Sequence, residues 1–164
     1  MQIAINIIGV IAFLFLCIGF NQKSVKDILK FKLAGDIAWS IHYFLLGAYT
    51  GMAANLVNMT REIFFLKMKK QSTYLLVIFT LLTWLMSFVT WGGWFSILPS
   101  LASTFAVFSF WQKNVSVTRA IGLLNNAIVL TYAIFARSYM GIIAEITVAI
   151  SIIYSLIKQK YSHD

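Results

Sequence analysis

Several charged and polar side chains stand inside long hydrophobic runs of this chain. Asp36, His42, Arg61, Glu62 and Glu145 each have apolar stretches around them. A charged side chain at the centre of a membrane helix costs roughly 2.5–3.5 kcal/mol on insertion scales, so such residues commonly mark a solute or ion pathway. No nucleophile with a base, no paired carboxylates and no metal-ligand set is visible. The pattern therefore predicts binding chemistry within a membrane, without metal or cofactor, and not an enzyme.

The polar and aromatic residues around positions 36–62 share two helical faces. Residues three, four and seven apart lie on one face of a helix. A small solute held between these faces would meet aromatic rings, amides and charges together. The residues are Asp36, Trp39, Ser40 and Tyr43, with His42 beside Trp39, and then Asn55, Asn58 and Glu62.

Asp36 and Arg61 are predicted to lie at matching depths, about one to two turns from the same end of their helices. We expect them to form an ion pair, either structural or part of a cytoplasmic gate. The alternative is that each head group reaches the membrane surface alone. Glu62 directly follows Arg61, so the two side chains are expected to point in different directions and not to pair.

Composition places these residues in a membrane protein. Hydrophobic residues make up 60% of the 164 and charged residues 11%, against about 25% charged in soluble domains. Helical spans need about 20 apolar residues, and very short connectors make neighbouring spans antiparallel. No soluble or appended enzyme domain is expected in this single membrane domain, 1–164. Seven spans are predicted: 2–20, 33–49, 51–67, 73–91, 95–111, 118–136 and 140–157.

The net charge of +8 is distributed by side and not as a nucleic-acid-binding patch. In the seven-span arrangement almost all basic residues fall on one side, and only Arg137 falls on the other. Because cytoplasmic loops carry the Lys/Arg excess, the N-terminus is predicted outside and the C-terminus inside. The basic side is expected to contact anionic lipid. Its residues are Lys23, Lys26, Lys30, Lys32, Lys67, Lys69, Lys70, Lys113, Arg119, Lys158 and Lys160.

The two halves of the chain resemble each other at an offset of about 90 residues. The segment 20–25, Phe-Asn-Gln-Lys-Ser-Val, falls on 110–115, Phe-Trp-Gln-Lys-Asn-Val, with no gap. This predicts a first triple-helix repeat at 1–70, a linker helix at 71–91 and a second repeat at 92–160. With one helix between them the two triplets enter the membrane from the same side, giving parallel repeats in a 3+1+3 arrangement.

The repeat also places unlike residues at corresponding positions. His42 corresponds to Tyr132, and Asn55 to Glu145. Glu145 is expected to accept a hydrogen bond, to pair with Arg137 or to carry a proton. His42 is expected to be a neutral hydrogen-bonding group or a proton carrier. The predicted solute site comprises Trp39, His42, Tyr43, Asn55, Asn58, Asn125, Tyr132 and Glu145.

Two helix-breaking residues also correspond, Gly9 and Pro99. Both are predicted midway through the first helix of their repeat. Proline removes a backbone hydrogen bond and kinks a helix. The pair is therefore expected to form hinges or a static bend.

These residues carry a family resemblance. The segment 20–24 with Trp39, Tyr43, Gly47, Asn55 and Asn58 resembles the PQ-loop/SWEET transporter superfamily, and 9–66 is similar to the bacterial YgjV-type inner membrane proteins. The superfamily resemblance implies two triple-helix bundles joined by an inversion helix. It also implies a central substrate site with an Asn on the third helix of each repeat.

Together these features predict a transporter of the bacterial inner membrane. A small solute, such as a sugar or a vitamin-like molecule, would bind at the midplane between the repeats and pass by alternating access. The alternative is a ligand-sensing receptor or accessory protein with the same cavity. Neither a nucleic-acid partner nor an oligomeric state is predicted.

Overall fold

The structure is a computed structural model that describes residues 2–68, 72–111 and 114–161. Within these ranges the chain forms helices and no strand. Lys69, Lys70, Gln112 and Lys113, which enter the charge and repeat arguments, lie outside the described residues. The seven α-helices are α1 (Gln2–Phe20), α2 (Val25–Leu45), α3 (Tyr49–Lys67), α4 (Thr73–Val89), α5 (Ile97–Trp111), α6 (Val115–Phe135) and α7 (Tyr139–Tyr161), with a 3-10 turn at Trp94–Ser96 before α5.

Helix starts follow side-chain caps at corresponding positions of the two predicted repeats. The Ser24 hydroxyl accepts the backbone N–H of Asp27, and the Asn114 carbonyl oxygen accepts that of Val117, both at 3.1 Å. A cap of this kind satisfies one of the N–H groups that a helix leaves free at its first turn. It explains why α2 begins at Val25 and not at position 33, where the apolar run begins.

Four stretches of the described helices are long and apolar enough to cross a membrane: Gln2–Phe20, Trp94–Trp111, Val115–Phe135 and Tyr139–Lys158. The helix at Thr73–Val89 is apolar but shorter. In α2 and α3 the charged side chains lower the mean hydropathy. The prediction that all seven helices span the membrane is therefore supported by composition for four of them.

Six helices pack in a closed ring. In order around it, α1 contacts α2, α2 contacts α3, α3 contacts α5, α5 contacts α6, α6 contacts α7, and α7 returns to α1. The remaining helix, α4, lies outside the ring against α3 and α5. The offset of about 90 residues that relates the two halves of the sequence maps α1 and α2 to α5 and α6. The order of contacts around the ring is the same after this mapping, as a duplicated unit predicts.

Polarity is reversed relative to a soluble protein. Hydroxyl side chains such as Ser96, Ser100 and Thr118 have no exposed surface, whereas Phe88 and Ile150 are more than half exposed. Buried hydroxyls satisfy one another and backbone carbonyls, as in the Ser100 bond to the carbonyl of Thr83 at 2.8 Å. An apolar exterior around a hydrogen-bonded interior is what a lipid environment favours.

The predicted position of Pro99 midway through a helix is wrong. Gly9 does lie in the middle of α1, but Pro99 is the third residue of α5 because the preceding residues form the separate 3-10 turn. The first N–H groups of a helix have no acceptor in that helix, so a proline there removes no bond. The hinge that depended on a mid-helix proline in α5 therefore has no structural basis.

Candidate functional site

The ring of six helices encloses a cavity of about 80 Å³. One buried water needs roughly 10–15 Å³ on the same measure, so the space suits several waters or a small solute. Every ring helix contributes to its wall, including the first helix of each repeat, and α4 contributes nothing. Seven of the eight predicted site residues line it: Trp39, Tyr43, Asn55, Asn58, Asn125, Tyr132 and Glu145.

His42 is the exception, and its prediction as a lining residue is wrong. Its ring is 1% exposed, with Nδ1 2.9 Å from the carbonyl of Ile5 and Nε2 2.8 Å from Oγ of Ser138. A carbonyl only accepts, so Nδ1 donates, and Nε2 of the neutral ring accepts the Ser138 hydroxyl proton. The side chain turns away from the cavity and joins α2 to α1 and to the start of α7.

Aromatic rings form one part of the wall. The rings of Trp39 and Tyr43 are stacked at 5.6 Å between centroids, and Tyr132 approaches Tyr43 edge-on at 5.7 Å. The Tyr132 hydroxyl accepts the backbone N–H of Gly51 at 2.9 Å. A Cβ on Gly51 would stand 2.8 Å from the Tyr132 ring, so glycine is required for this contact between α3 and α6.

Glu145 places a carboxylate in the wall. Glu145 is 6% exposed. The side-chain amide of Asn126 donates to the Glu145 carboxylate, and it also donates to the backbone carbonyl of Glu145 at 2.9 Å. Arg137 is exposed in the turn before α7, and no ion pair joins the two within the described part of the chain. The hydrogen-bonding alternative thus describes Glu145 correctly, and the pairing with Arg137 is wrong.

The predicted Asp36–Arg61 ion pair is also wrong. Among the described residues Asp36 pairs with Lys32, whose ammonium lies 2.9 and 2.7 Å from the two carboxylate oxygens. Lys32 also lies 3.2 Å from Glu62, and Glu62 lies 3.2 Å from Arg61. Asp36 and Arg61 are therefore opposite ends of a four-residue charge cluster: Asp36, Lys32, Glu62 and Arg61.

Two residues of this cluster overturn a second expectation. Arg61 and Glu62 are sequence neighbours, yet the guanidinium reaches the carboxylate. Long flexible side chains can curl toward each other even when their Cβ atoms diverge, and burial leaves them few other partners: they are 1% and 0% exposed. The Nη1 atom of the Arg61 guanidinium donates to Asn58 Oδ1 at 2.9 Å and contacts the carbonyl of Ser103 at 3.4 Å.

Asn58 connects this charge cluster to the cavity. Its carbonyl oxygen accepts from Arg61 and also from the Ser103 hydroxyl at 3.0 Å. Both Asn58 and Ser103 line the cavity, as do Lys32 and Asp36. Lys32 and Asp36, together with Asn58 and Ser103, therefore form a polar part of the cavity wall, and Arg61 and Glu62 of the cluster are not among the lining residues.

Three polar lining residues are not among the predicted site, gate or hinge residues: Lys32, Ser103 and Asn126. Lys32 precedes Asp36 by four residues, a spacing that brings opposite charges together on a helix. Asn126 corresponds to Asp36 in the repeat. Both signals were available in the sequence, whereas Ser103 becomes recognisable only when α5 packs on α3.

One family model matches residues 3–162, and its description is a bacterial inner membrane protein, Imp-YgjV. The chain belongs to this family. No curated protein and no solved structure is similar enough to match it. Family membership fixes the bacterial inner membrane as the setting, and it adds no solute or activity to the geometry.

The described residues contain no set of side chains suited to a metal ion. In the ranges 2–68, 72–111 and 114–161 no group of three His, Cys, Asp or Glu side chains could hold a metal ion. The cavity instead offers amides, aromatic faces, one separate carboxylate and a compensated charge cluster. Such groups can bind and orient a small organic molecule by hydrogen bonds and ring contacts.

Proposed function

We propose that this inner membrane protein is a small-molecule transporter whose solute binds in the central cavity. The observation that carries the proposal is the cavity itself, a space between three helices of each predicted repeat whose wall carries amides, a carboxylate and other charged side chains among apolar groups. Inside a bilayer such a space is costly to maintain unless it is used. Transporters built from repeats hold their substrates at the repeat interface.

We further propose that the helices form two parallel triplets, α1–α3 and α5–α7, with α4 as the linker that restores direction. The position of α4 outside the ring supports this arrangement. In this 3+1+3 design, resembling the SWEET transporters, each triplet would move as a unit. The N-terminus would be periplasmic and the C-terminus cytoplasmic, with Lys23, Lys26 and Lys30 near anionic lipid.

Hydrogen bonds between the triplets occur at both ends of the cavity. At the Gly47 end, near residues 46–48 and 136–138, His42 bonds Ser138 and Tyr132 bonds Gly51. These two contacts are reciprocal, because each joins the second helix of one triplet to the start of the third helix of the other. In alternating access they would break when this end opens.

The opposite end, near residues 21–24, carries its own set. Asn21 donates to Ser151 at 2.7 Å and accepts from Ser155 at 2.7 Å. Arg119 donates to the carbonyls of Phe20 and Gln22, both at 3.0 Å. Bonds at both ends hold the two triplets together in the conformation described, and one set or the other would release during alternating access.

The test begins with a ligand screen by thermal unfolding in detergent, since a ligand that binds the native state raises its melting temperature. Compounds that stabilise the protein are then tested for uptake into proteoliposomes. Asn125→Leu replaces a lining amide with an apolar side chain of similar shape and should abolish both stabilisation and uptake. Ala127→Leu, two residues further on the exposed side of α6, should retain both.

The outcomes separate the functions. Saturable uptake that is lost in Asn125→Leu and kept in Ala127→Leu supports transport through the central cavity. Specific binding without uptake, again lost in Asn125→Leu, assigns the cavity to the alternative, a ligand-sensing receptor or accessory protein. A ligand whose stabilisation survives Asn125→Leu would contradict the central site in either form.

A further inference from the structure

The charges around the cavity do not cancel. Lys32 is engaged by Asp36 and Glu62, and Arg61 by Glu62, Asn58 and Ser103. With two cations and two carboxylates, this cluster is neutral when all four are ionised. Glu145 is a fifth ionisable group and stands apart from it.

No cation of the described residues lies within ion-pair distance of Glu145. The nearest charge of opposite sign that lines the cavity, Lys32, is turned toward the neutral cluster. Arg119 donates hydrogen bonds to backbone carbonyls at the end of the cavity near residues 21–24. Arg137 is exposed at the opposite, Gly47 end. Asn126 supplies hydrogen bonds to Glu145 but no compensating charge. Among the described residues, the Glu145 carboxylate therefore has no direct ion-pair partner, and the one lysine that acts on it at longer range, Lys32, is held by Asp36 and Glu62.

Aromatic rings share this cavity with the carboxylate. Trp39, Tyr43 and Tyr132 are each buried to 3–4% exposure and contact one another in a continuous group. Faces of Trp and Tyr rings attract cations, and groups of such rings recognise ammonium ligands. The indole Nε1 of Trp39 has no hydrogen-bond partner within the described residues, so this ring also retains a free donor for a ligand oxygen.

We propose that the solute is a small organic cation, with an ammonium group held between the Glu145 carboxylate and the aromatic rings of Trp39, Tyr43 and Tyr132. The inference rests on the proposed central site and adds its substrate class. A bound cation would supply a direct ion-pair partner in a place where a charged group without one is expensive. A hydroxyl or carbonyl on the same molecule would accept from Trp39. The cavity volume limits the solute to a few heavy atoms around the ammonium group.

The test measures the sign of the cavity's field without requiring the natural solute. Cys17 is the only cysteine, and in a Cys17→Ala background a single thiol is introduced by Asn55→Cys, at a half-buried lining position. Its modification rate in detergent is measured with a cationic trimethylammonium-ethyl methanethiosulfonate and with an anionic sulfonatoethyl methanethiosulfonate. Each rate is divided by that of free 2-mercaptoethanol. Glu145→Gln and Glu145→Asp are then added as neutral and charged variants.

The expected ratio favours the cationic reagent by about tenfold, as one carboxylate charge roughly 6–10 Å from the thiol provides at an effective dielectric of about 50–80. Glu145→Gln should bring the ratio near one, and Glu145→Asp should preserve the preference. Equal rates in the parent protein, or an anionic preference, would overturn the organic-cation class while leaving a central site for neutral or anionic solutes. A thiol at position 55 that reacts with neither reagent would contradict an accessible cavity, and the proposed function with it. The Cys17→Ala, Asn55→Cys protein retains Glu145. The ratio of the two reagent rates on this protein therefore tests the proposal even if a Glu145 variant fails to fold.

Discussion

Lys32 is the residue that makes the buried charges of this protein tolerable. Without it, Asp36 and Glu62 would leave Arg61 as the sole cation for two carboxylates on adjacent helices. Its ammonium lies 2.7 Å from Asp36 and 3.2 Å from Glu62, and its side chain is 12% exposed. A buried ion pair loses much of its Coulomb energy to desolvation, but removing one partner leaves a buried charge that is costly.

Lys32→Met should therefore lower the free energy of unfolding by roughly 3–5 kcal/mol. Lys30→Met is the matched control on the same helix, because the Lys30–Asp27 pair is 2.7 Å long but its side chains are 61% and 43% exposed. Exposed pairs contribute about 0–1 kcal/mol. Denaturant titration in detergent micelles measures both variants. Equal losses for Lys32 and Lys30 would show that the charge cluster does not stabilise the fold.

At the scale of the helices, close contact between the first and last elements depends on one glycine. A Cβ built on Gly9 would lie 2.9 Å from Cβ of Met140 in α7 and 3.1 Å from the ring of His42 in α2. The same small residue thus lets α1 approach two helices of the ring and lets His42 reach the carbonyl of Ile5. The position that suggested a hinge from sequence has a packing requirement in the structure.

Gly9→Ala should destabilise the protein by about 1–3 kcal/mol through overpacking, although alanine is the better helix former. Gly92→Ala is the control, since the nearest atom to a Cβ there is 3.7 Å away. Melting temperatures in detergent, measured for both variants beside the parent, should fall only for Gly9→Ala. If Gly9→Ala raised the melting temperature, α1 would not pack this closely on α7.

For the whole molecule, orientation in the membrane follows from the distribution of charge. In the Cys17→Ala background, Tyr139→Cys and Lys30→Cys introduce single thiols at exposed positions near opposite ends of the ring. A membrane-impermeant maleimide should label position 139 in spheroplasts and position 30 only after permeabilisation, because lysine-rich ends remain cytoplasmic. Labelling of both position 139 and position 30 in intact spheroplasts would rule out a helix count that places them on opposite sides of the membrane. The reverse pattern would invert the proposed topology.

Much of the fold could be predicted from composition and repetition. Apolar runs indicated seven helices, and the described residues contain seven, with bounds that differ where caps at Ser24 and Asn114 extend the helices. The repeat placed Tyr132 and Glu145 in correspondence with His42 and Asn55, and the structure brings both Tyr132 and Glu145 to the cavity. Whether that cavity binds a solute, and whether the triplets are SWEET-like, stay predictions.

The wrong predictions for His42, Arg61 and Arg137 share one cause. His42, Arg61 and Arg137 were paired or placed by depth and helical face, but depth does not fix which neighbour a long or bifunctional side chain selects. The ring of His42 forms hydrogen bonds with Ile5 and Ser138, which are far from it in sequence. Arg61 pairs with its neighbour Glu62, and Lys32 pairs with Asp36. Pro99 was misplaced since a 3-10 turn moved the start of α5.

The sequence alone determined the membrane setting, the family, the helical class and the residue types available for a site, because these depend on composition and on local or periodic patterns. Only the tertiary structure decided which of those residues share a space. Partner choice among buried charges is a competition over a few ångströms between groups on different helices, and a one-dimensional pattern does not contain those distances. Lys32 neutralising Asp36, and Glu145 remaining without a cation in the described structure, are outcomes of that competition.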